Sequence, residues 1–450
     1  MNHNEILELN ITALSTDAAG IARTSKGVIF VHGALPGETV KAEIVMRKKD
    51  FSVADVVEII KPSPDRIKPK CKYYGHCGGC QLQHADYDAQ LKLKADIVRD
   101  AMTRIGGFNP EIFRDLICEP SPKSWAYRNK AAFPVQGFKN KIITGFYRAG
   151  THRLELIRYC PVNAEKLNEI YRKLLDGLEN PKIKLPFDGY NEQTNKGKLR
   201  HIIARTGINT GESLLSFVIN GKLSDRAVKS LISLGISARP DTITINYNSK
   251  PGNVILGIHT ENLTGSGLIS ERLGNYKLMF DTTSFFQVNT GQAEKLFSYA
   301  ANLAAGYENI LELYSGTGSL TCYLAENAKH VTSIEEWRSA VRTAAKNLSS
   351  NNFNNVDTLC GRSEEIIDDI HENYDAVVLD PPRNGCERSV IETIVKKNIR
   401  KVIYVSCNPA TLARDCKILS EHGYKIASAK SFDMFPQTAH VETVIEASRN

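Results

Sequence analysis

The sequence predicts an α/β protein in three parts: a small β-barrel over residues 1–62, a mixed α+β region over 63–265, and a doubly wound, mostly parallel sheet over 266–450. Three observations carry this expectation. Short β-rich runs between turn formers, with no helical period, fill the first part. A cysteine-rich turn followed by an amphipathic helix opens the second. Apolar strands alternate with helices in the third, and that alternation needs a sheet covered on both faces.

The β-rich runs of the first part are Ile6–Ile11, Val28–Val31, Val40–Val45 and Ala54–Ile60, punctuated by Asp17, Gly20, Gly33, Pro36 and Gly37. OB-like barrels of this size often carry oligonucleotides. Lys41, Arg47, Lys48 and Lys49 gather around one hairpin, which reads equally as a polyanion-facing surface or as a solvated one. KPSPDRIKPK (61–70) reads as a linker extended by its prolines. Next, CKYYGHCGGC brings Cys71, Cys77 and Cys80 together, with Cys160 in RYCPV as a distant fourth. Residues 81–105 are expected to form one helix, with Tyr87, Leu91, Ile97, Val98, Met102 and Ile105 at helical spacing. Residues 115–262 mix strands with basic turns. In the last part, strands are expected at Ile310–Leu313, His330–Ile334, Ala376–Leu379 and Lys401–Val405, and as a pair near 426–447; helices are expected at 336–349 and 387–397.

Bulk composition narrows the class. The 57 basic and 50 acidic residues give +7, a mild lean toward a polyanionic partner. The start, MNHNEILELN, lacks a basic stretch followed by an apolar one, so no signal peptide is expected. No run approaches membrane-span length. A cytoplasmic location follows, with a monomer as the default. Cysteines there stay reduced, so grouped ones read as metal ligands or catalysts. C-x5-C-x2-C with a fourth, distant cysteine suits Zn²⁺ or an iron–sulfur cluster, since both take four thiolates, and spacing leaves both open.

Two further features carry chemistry. Ile310–Leu313 runs into Tyr314, Ser315, Gly316, Thr317 and Gly318 before a helix, and Glu335 ends the next strand about twenty residues on. That is the pattern of a nucleotide-like cofactor loop, with the acid aimed at ribose hydroxyls. Glu312 beside the loop would repel pyrophosphate and suits a cationic cofactor such as S-adenosylmethionine. The second feature is a pair of strand ends. Asp380 in DAVVLDPPRNG and Cys407 in KVIYVSCNPA end successive strands, where ligands of such sheets bind. A thiol there can act as a nucleophile. Glu442 in HVETVIEA is a candidate base.

These stretches resemble the RNA uracil-5 methyltransferases, the family of 23S ribosomal RNA and transfer RNA enzymes. The similarity runs along nearly the whole chain. It includes a TRAM-like barrel, C-x5-C-G-G-C with a later cysteine, FFQVN (285–289), LYSGTG (313–318), DPPRNG (380–385), VSCNPATLARD (405–415) and FPQTAHVET (435–443). The resemblance implies a class I methyltransferase sheet and a central RNA-contacting domain. It implies Cys407 as nucleophile, Glu442 as general base, and Gln287, Tyr314, Glu335 and Asp380 as S-adenosylmethionine contacts. It also implies a [4Fe–4S] cluster on Cys71, Cys77, Cys80 and Cys160. The expected partner is RNA, with 23S ribosomal RNA preferred and transfer RNA as the alternative; a non-catalytic RNA-binding protein is the reading from another class. Arg383 after Asp-Pro-Pro, where amino-methylating relatives carry an aromatic residue, favours uracil. Arg128, Lys130, Lys139, Lys141, Arg148, Arg153 and Arg158, interleaved with Trp125, Tyr127, Phe133, Phe138, Phe146 and Tyr147, are expected to meet phosphates and unpaired bases.

Overall fold

The computed structural model describes residues 5–138 and 141–449, so Lys139 lies outside the described residues. The chain groups into two compact units. One comprises Met1–Ser124, Pro381–Ile391 and Tyr404–Asn450; the other comprises Trp125–Asp380 and Glu392–Ile403.

The first unit opens with β1 (Ile6–Asn10), β2 (Ala13–Leu14), β3 (Gly20–Thr24), β4 (Gly27–His32), β5 (Thr39–Arg47) and β6 (Phe51–Lys61) in one sheet, ordered β1-β5-β6-β4-β3-β2. Leu9, Ile29, Val31, Val40, Ala42 and Ala54 form its core. The β-rich runs read from sequence all fall on strands, but β2 and β3 do not show as apolar runs. Each is short, and β3 (GIART) carries a glycine and an arginine. The proline-rich stretch after β6 is latched to the barrel. Arg66 Nε donates to buried Glu38 at 2.5 Å, and the N–H groups of Leu35 and Ser63 donate to the same carboxylate at 2.8 and 3.2 Å. Burial pushes Glu38 up, but Arg66 and these N–H donors outweigh it and hold the carboxyl below its ordinary range.

The helix expected over 81–105 is α1, Tyr87–Arg104. It starts late because Asp86 caps it, accepting the Asp88 N–H at 3.0 Å. The N–H groups of Gln81 and Leu82 are committed to the carbonyl of Gln437, at 3.0 and 2.9 Å, and so are not helical. The expected C-terminal strand pair is present: Lys425–Phe432 runs antiparallel to Glu442–Ser448, with Phe432 opposite Glu442.

The second unit holds two sheets that bear on function. In the first, six strands run in the order His259–Thr264, Thr242–Tyr247, Ser213–Ile219, Leu199–Thr206, Lys130–Phe138, Lys141–Thr144. Apolar residues of helices Glu165–Glu179 and Asp225–Ser237 pack on it. In the second, Asn309–Leu313 lies between His330–Glu335 and Ala376–Leu379, and Val356–Cys360 pairs outside His330–Glu335, all parallel. Burial on both faces explains why these strands read as continuous apolar runs.

Part of the aromatic–basic interleaving over residues 125–158 is core or ion-paired. Phe133 is buried and stacks on Tyr171 with ring centroids 3.7 Å apart, and Tyr127 is buried. Neither offers a face to a base. Arg148 pairs with Glu155, and Arg158 with Asp176 and Glu179. Phe138, at the strand's end, is exposed. Period-two alternation looks the same whether a strand's aromatic face meets a helix or a ligand.

Candidate active site

The loop after Asn309–Leu313 has the backbone of a ligand cradle. Gly316 and Gly318 take φ of 58° and 79°, and Tyr314, a non-glycine, takes 66°. Such conformations are costly away from glycine and persist where the surroundings hold them. Gly318 also lies close to the helix Arg338–Ser350, since a Cβ there would sit 3.2 Å from Ala344 Cβ. Glu335 holds the loop from below: its carboxylate accepts the Gly316 and Trp337 N–H groups, each at 2.9 Å.

Beside this loop is a pocket lined by Phe285, Gln287, Glu312, Tyr314, Gly316 and Asp380, among others, with about 360 Å³ of space including its open mouth. That is the scale of a small-molecule site. Of the four expected cofactor contacts, Gln287, Tyr314 and Asp380 converge here, while Glu335 stands behind the loop rather than in the lining. Glu312 is buried, and its Oε2 lacks a hydrogen-bond partner among the described residues. Burial pushes Glu312 up to about 8 and Asp380 up to about 7. Two raised carboxyls in one pocket, one of them with an unpartnered oxygen, suit a cationic guest, which would let them ionise. The expected negative charge at Glu312 is thus conditional: without a guest the group is held largely neutral near pH 7.

Sequence reasoning missed the residues that hold the FFQVN loop. Arg205, buried in Leu199–Thr206, donates to the carbonyls of Asp281 and Ser284 at 2.9 and 2.5 Å. Asn129 donates from its side chain to the Gln287 carbonyl at 2.9 Å. Asp281 caps the turn through Thr283 and Ser284. Phe286 is thereby packed on Phe280, at 4.4 Å, while Phe285 stays exposed. An arginine inside the apolar run LRHIIART was the available signal.

In the first unit, half-buried Cys407 stands between the buried strand residues Tyr404–Ser406 and the helix Pro409–Glu421. Its turn is rigid. Ser406 Oγ accepts the Asn408 N–H at 3.1 Å, Asn408 caps the helix through the Ala410 N–H, and Pro409 occupies the first turn. A helix N-terminus favours thiolate over thiol. Asn408 and Thr411 side chains also donate to the Arg383 carbonyl, at 2.9 and 3.2 Å, and the Asp415 carboxylate accepts the Cys386 N–H at 2.9 Å. Cys386 is buried. Glu442 is the buried first residue of its strand.

Cys71, Cys77, Cys80 and Cys160 are each half-buried. The first three lie on a turn-rich segment, where the Gly79 N–H points at Cys77 Sγ at 3.4 Å. Their donor chemistry suits a thiolate-held metal or cluster, but among the described residues no three His, Cys, Asp or Glu side chains are gathered into a metal site. Among the described residues no helix is long and apolar enough to cross a membrane.

Comparison with known proteins adds an independent line. Residues 86–450 match the tRNA (uracil-5-)-methyltransferase family and residues 2–57 the TRAM domain. An RNA methyltransferase of Halalkalibacterium halodurans is 37% identical over 451 residues, covering 99% of this chain and 97% of that protein. One of Clostridium tetani is 38% identical over 449 residues, covering 98% and 96%. The crystal structure of Pyrococcus abyssi tRNA (uracil-54, C5)-methyltransferase in complex with S-adenosyl-L-homocysteine superposes with a TM-score of 0.77 at 28% identity, covering 98% of this chain and all of that one. A TRAM domain, a Rossmann-like methyltransferase fold and a cradle suited to a cationic nucleoside thus occur in one chain, which belongs to the S-adenosylmethionine-dependent RNA uracil-5 methyltransferase family.

Proposed function

We propose that this protein methylates carbon 5 of a uridine in folded RNA through a covalent adduct on Cys407, with Glu442 as the base. The observation that carries this reading is Cys407 on a rigid turn at a helix N-terminus, in a chain of this family. Uracil carbon 5 is a poor nucleophile until a thiolate adds to carbon 6. The Cys407 sulfur forms the S–C6 bond, and the ring electrons move toward the carbonyl at carbon 4 as an enolate. S-Adenosylmethionine, when bound, supplies an electrophilic methyl on a sulfonium. Carbon 5 takes that methyl as the methyl–sulfur bond breaks, and the bond's electron pair stays on sulfur as a neutral thioether. Glu442 then removes the carbon 5 proton, the C5–C6 double bond re-forms and the Cys407 thiolate leaves. Gln287, Tyr314, Glu335 and Asp380 are the proposed cofactor contacts, with Glu312 and Asp380 facing the cationic groups. The target must be unpaired or flipped, so the substrate is a loop.

Incubation with 5-fluorouridine-containing RNA and the methyl donor should yield an SDS-stable complex, because fluorine cannot leave as a proton. Cys407→Ala should abolish both the complex and turnover. Unimpaired turnover by that variant would sink the mechanism, and a protein that binds RNA without methylating it would be the non-catalytic reading.

The proposed RNA is 23S ribosomal RNA, on the resemblance of a TRAM barrel with four grouped cysteines to that branch. The likeness to the Pyrococcus abyssi transfer RNA enzyme favours transfer RNA as the second reading. Mass mapping of both RNAs from a deletion strain separates them by which uridine loses its methyl group. We propose a cytoplasmic monomer, with the domains bounded at 1–62, 63–265 and 266–450. The proposed [4Fe–4S] ligands are Cys71, Cys77, Cys80 and Cys160. No step of the reaction runs through them, since methyl transfer from a sulfonium moves no net electrons. Anaerobically purified protein should be brown and hold iron and sulfide; a colourless protein with stoichiometric zinc would refute the cluster.

A further inference from the structure

Between the strands Lys425–Phe432 and Glu442–Ser448 runs a connection, residues 433–441, that delivers Glu442 to its place opposite Phe432. Connections of this kind normally run over the surface. This one is buried and fastened at several points. At its start, Asp433 pairs with Lys94 of α1 at 2.5 Å, both side chains fully buried, and Lys94 also donates to the Phe435 carbonyl at 3.0 Å. At its middle, Gln437 takes a φ of 74°, unusual for any residue but glycine.

Gln437 is held by five hydrogen bonds. Its N–H donates to Gln90 Oε1 at 3.0 Å, and its Oε1 accepts Gln90 Nε2 at 3.1 Å. Its Nε2 donates to the Ser124 carbonyl at 3.3 Å, and its carbonyl accepts the N–H groups of Gln81 and Leu82. Gln81 and Leu82 directly follow Cys80, so the cysteine run is tied to the same residue. Beyond Gln437, Thr438 accepts the His440 N–H at 3.2 Å, two residues before Glu442. A backbone strained and held this firmly needs a reason to persist.

We infer that Gln437, clamped by Gln90 and by the segment after Cys80, is a positioning residue that sets the Glu442 carboxylate for proton removal. The inference rests on Glu442 being the base. It assigns Gln437 to one half of the reaction only: release of the adduct, not its formation by Cys407.

Three full-length variants test this, with unmodified total RNA from a deletion strain, radiolabelled methyl donor and SDS-stable RNA–protein complex as readouts. Gln437→Gly removes the side chain while suiting the backbone angle. It should slow turnover about 10²-fold, the scale of an ångström of misplacement, and should accumulate covalent complex on ordinary RNA. Its complex with 5-fluorouridine RNA should form at the wild-type rate. Gln90→Leu should show the same pattern more weakly. Wild-type turnover in Gln437→Gly overturns the inference. So does a parallel loss of adduct formation and release, which marks a merely structural residue. Glu442→Gln separates this inference from its premise. If Glu442→Gln turns over normally, the base assignment falls first. If Glu442→Gln accumulates complex and Gln437→Gly does not, only the positioning role falls.

Discussion

Two sets of acidic side chains in this protein are treated in opposite ways. Glu38 and Asp433, in the first unit, each meet a cation, Arg66 and Lys94 respectively. Glu312 and Asp380, which line the second unit's pocket, show no ion pair among the described residues, and burial raises both. A paired buried acid fastens structure; an underserved acid in a pocket waits for a guest. The same burial that makes a latch in one place therefore marks a candidate binding site in the other.

The comparison breaks most readily at Lys94. Lys94→Met leaves Asp433 buried without its cation and should cost about 3–5 kcal/mol in denaturant unfolding. A loss under 1 kcal/mol would show that the pair is no latch. Next in size is the pocket. Asp380→Asn should weaken S-adenosylmethionine binding by about 10- to 100-fold in calorimetry, the range for a hydrogen bond to a charged group. In the wild type, affinity should climb as pH rises through about 7 to 8, because the guest binds the ionised carboxyls, and binding should release protons below that range. Flat affinity between pH 6 and 9 would remove the conditional charge from the account.

Stability should follow opposite signs at Glu38 and at the two pocket carboxyls. Glu312 and Asp380 have folded-state values above their unfolded ones, so the apoprotein loses stability as pH rises from about 4 through about 8. Asp380→Asn should therefore melt higher than wild type at pH 8, without cofactor, and equally at pH 4. The smallest effect belongs to Glu38. Its folded value is depressed, so its contribution is present above about 4 and vanishes as pH falls through the folded value. Glu38→Gln should cost about 1–2 kcal/mol at pH 7 and less in acid. Equal cost at both pH values would point to packing instead of charge.

Much of this was legible in the chain itself. The parallel strands could be read because burial on both faces leaves an unbroken apolar run, as in Ala376–Leu379. The cradle could be read because only a few residue types tolerate the angles of Gly316 and Gly318. The Cys407 turn could be read because its neighbours Asn408 and Pro409 are local capping signals. Local stereochemistry writes itself into local sequence. The place of Phe133 was not legible for the converse reason: whether it faces a helix or a ligand depends on Tyr171, more than thirty positions away.

What the sequence by itself determined, then, was the order of elements, the glycine loop beside the pocket and the thiol at a strand's end, since each depends on neighbours within a few bonds. The tertiary structure alone decided which carboxyls are paired, that Arg205 and Asn129 hold the FFQVN loop, and that Gln437 is clamped from Gln90, with hundreds of residues between the two in the chain. Hydrogen bonds and burial act through space, and no spacing rule records partners that far apart.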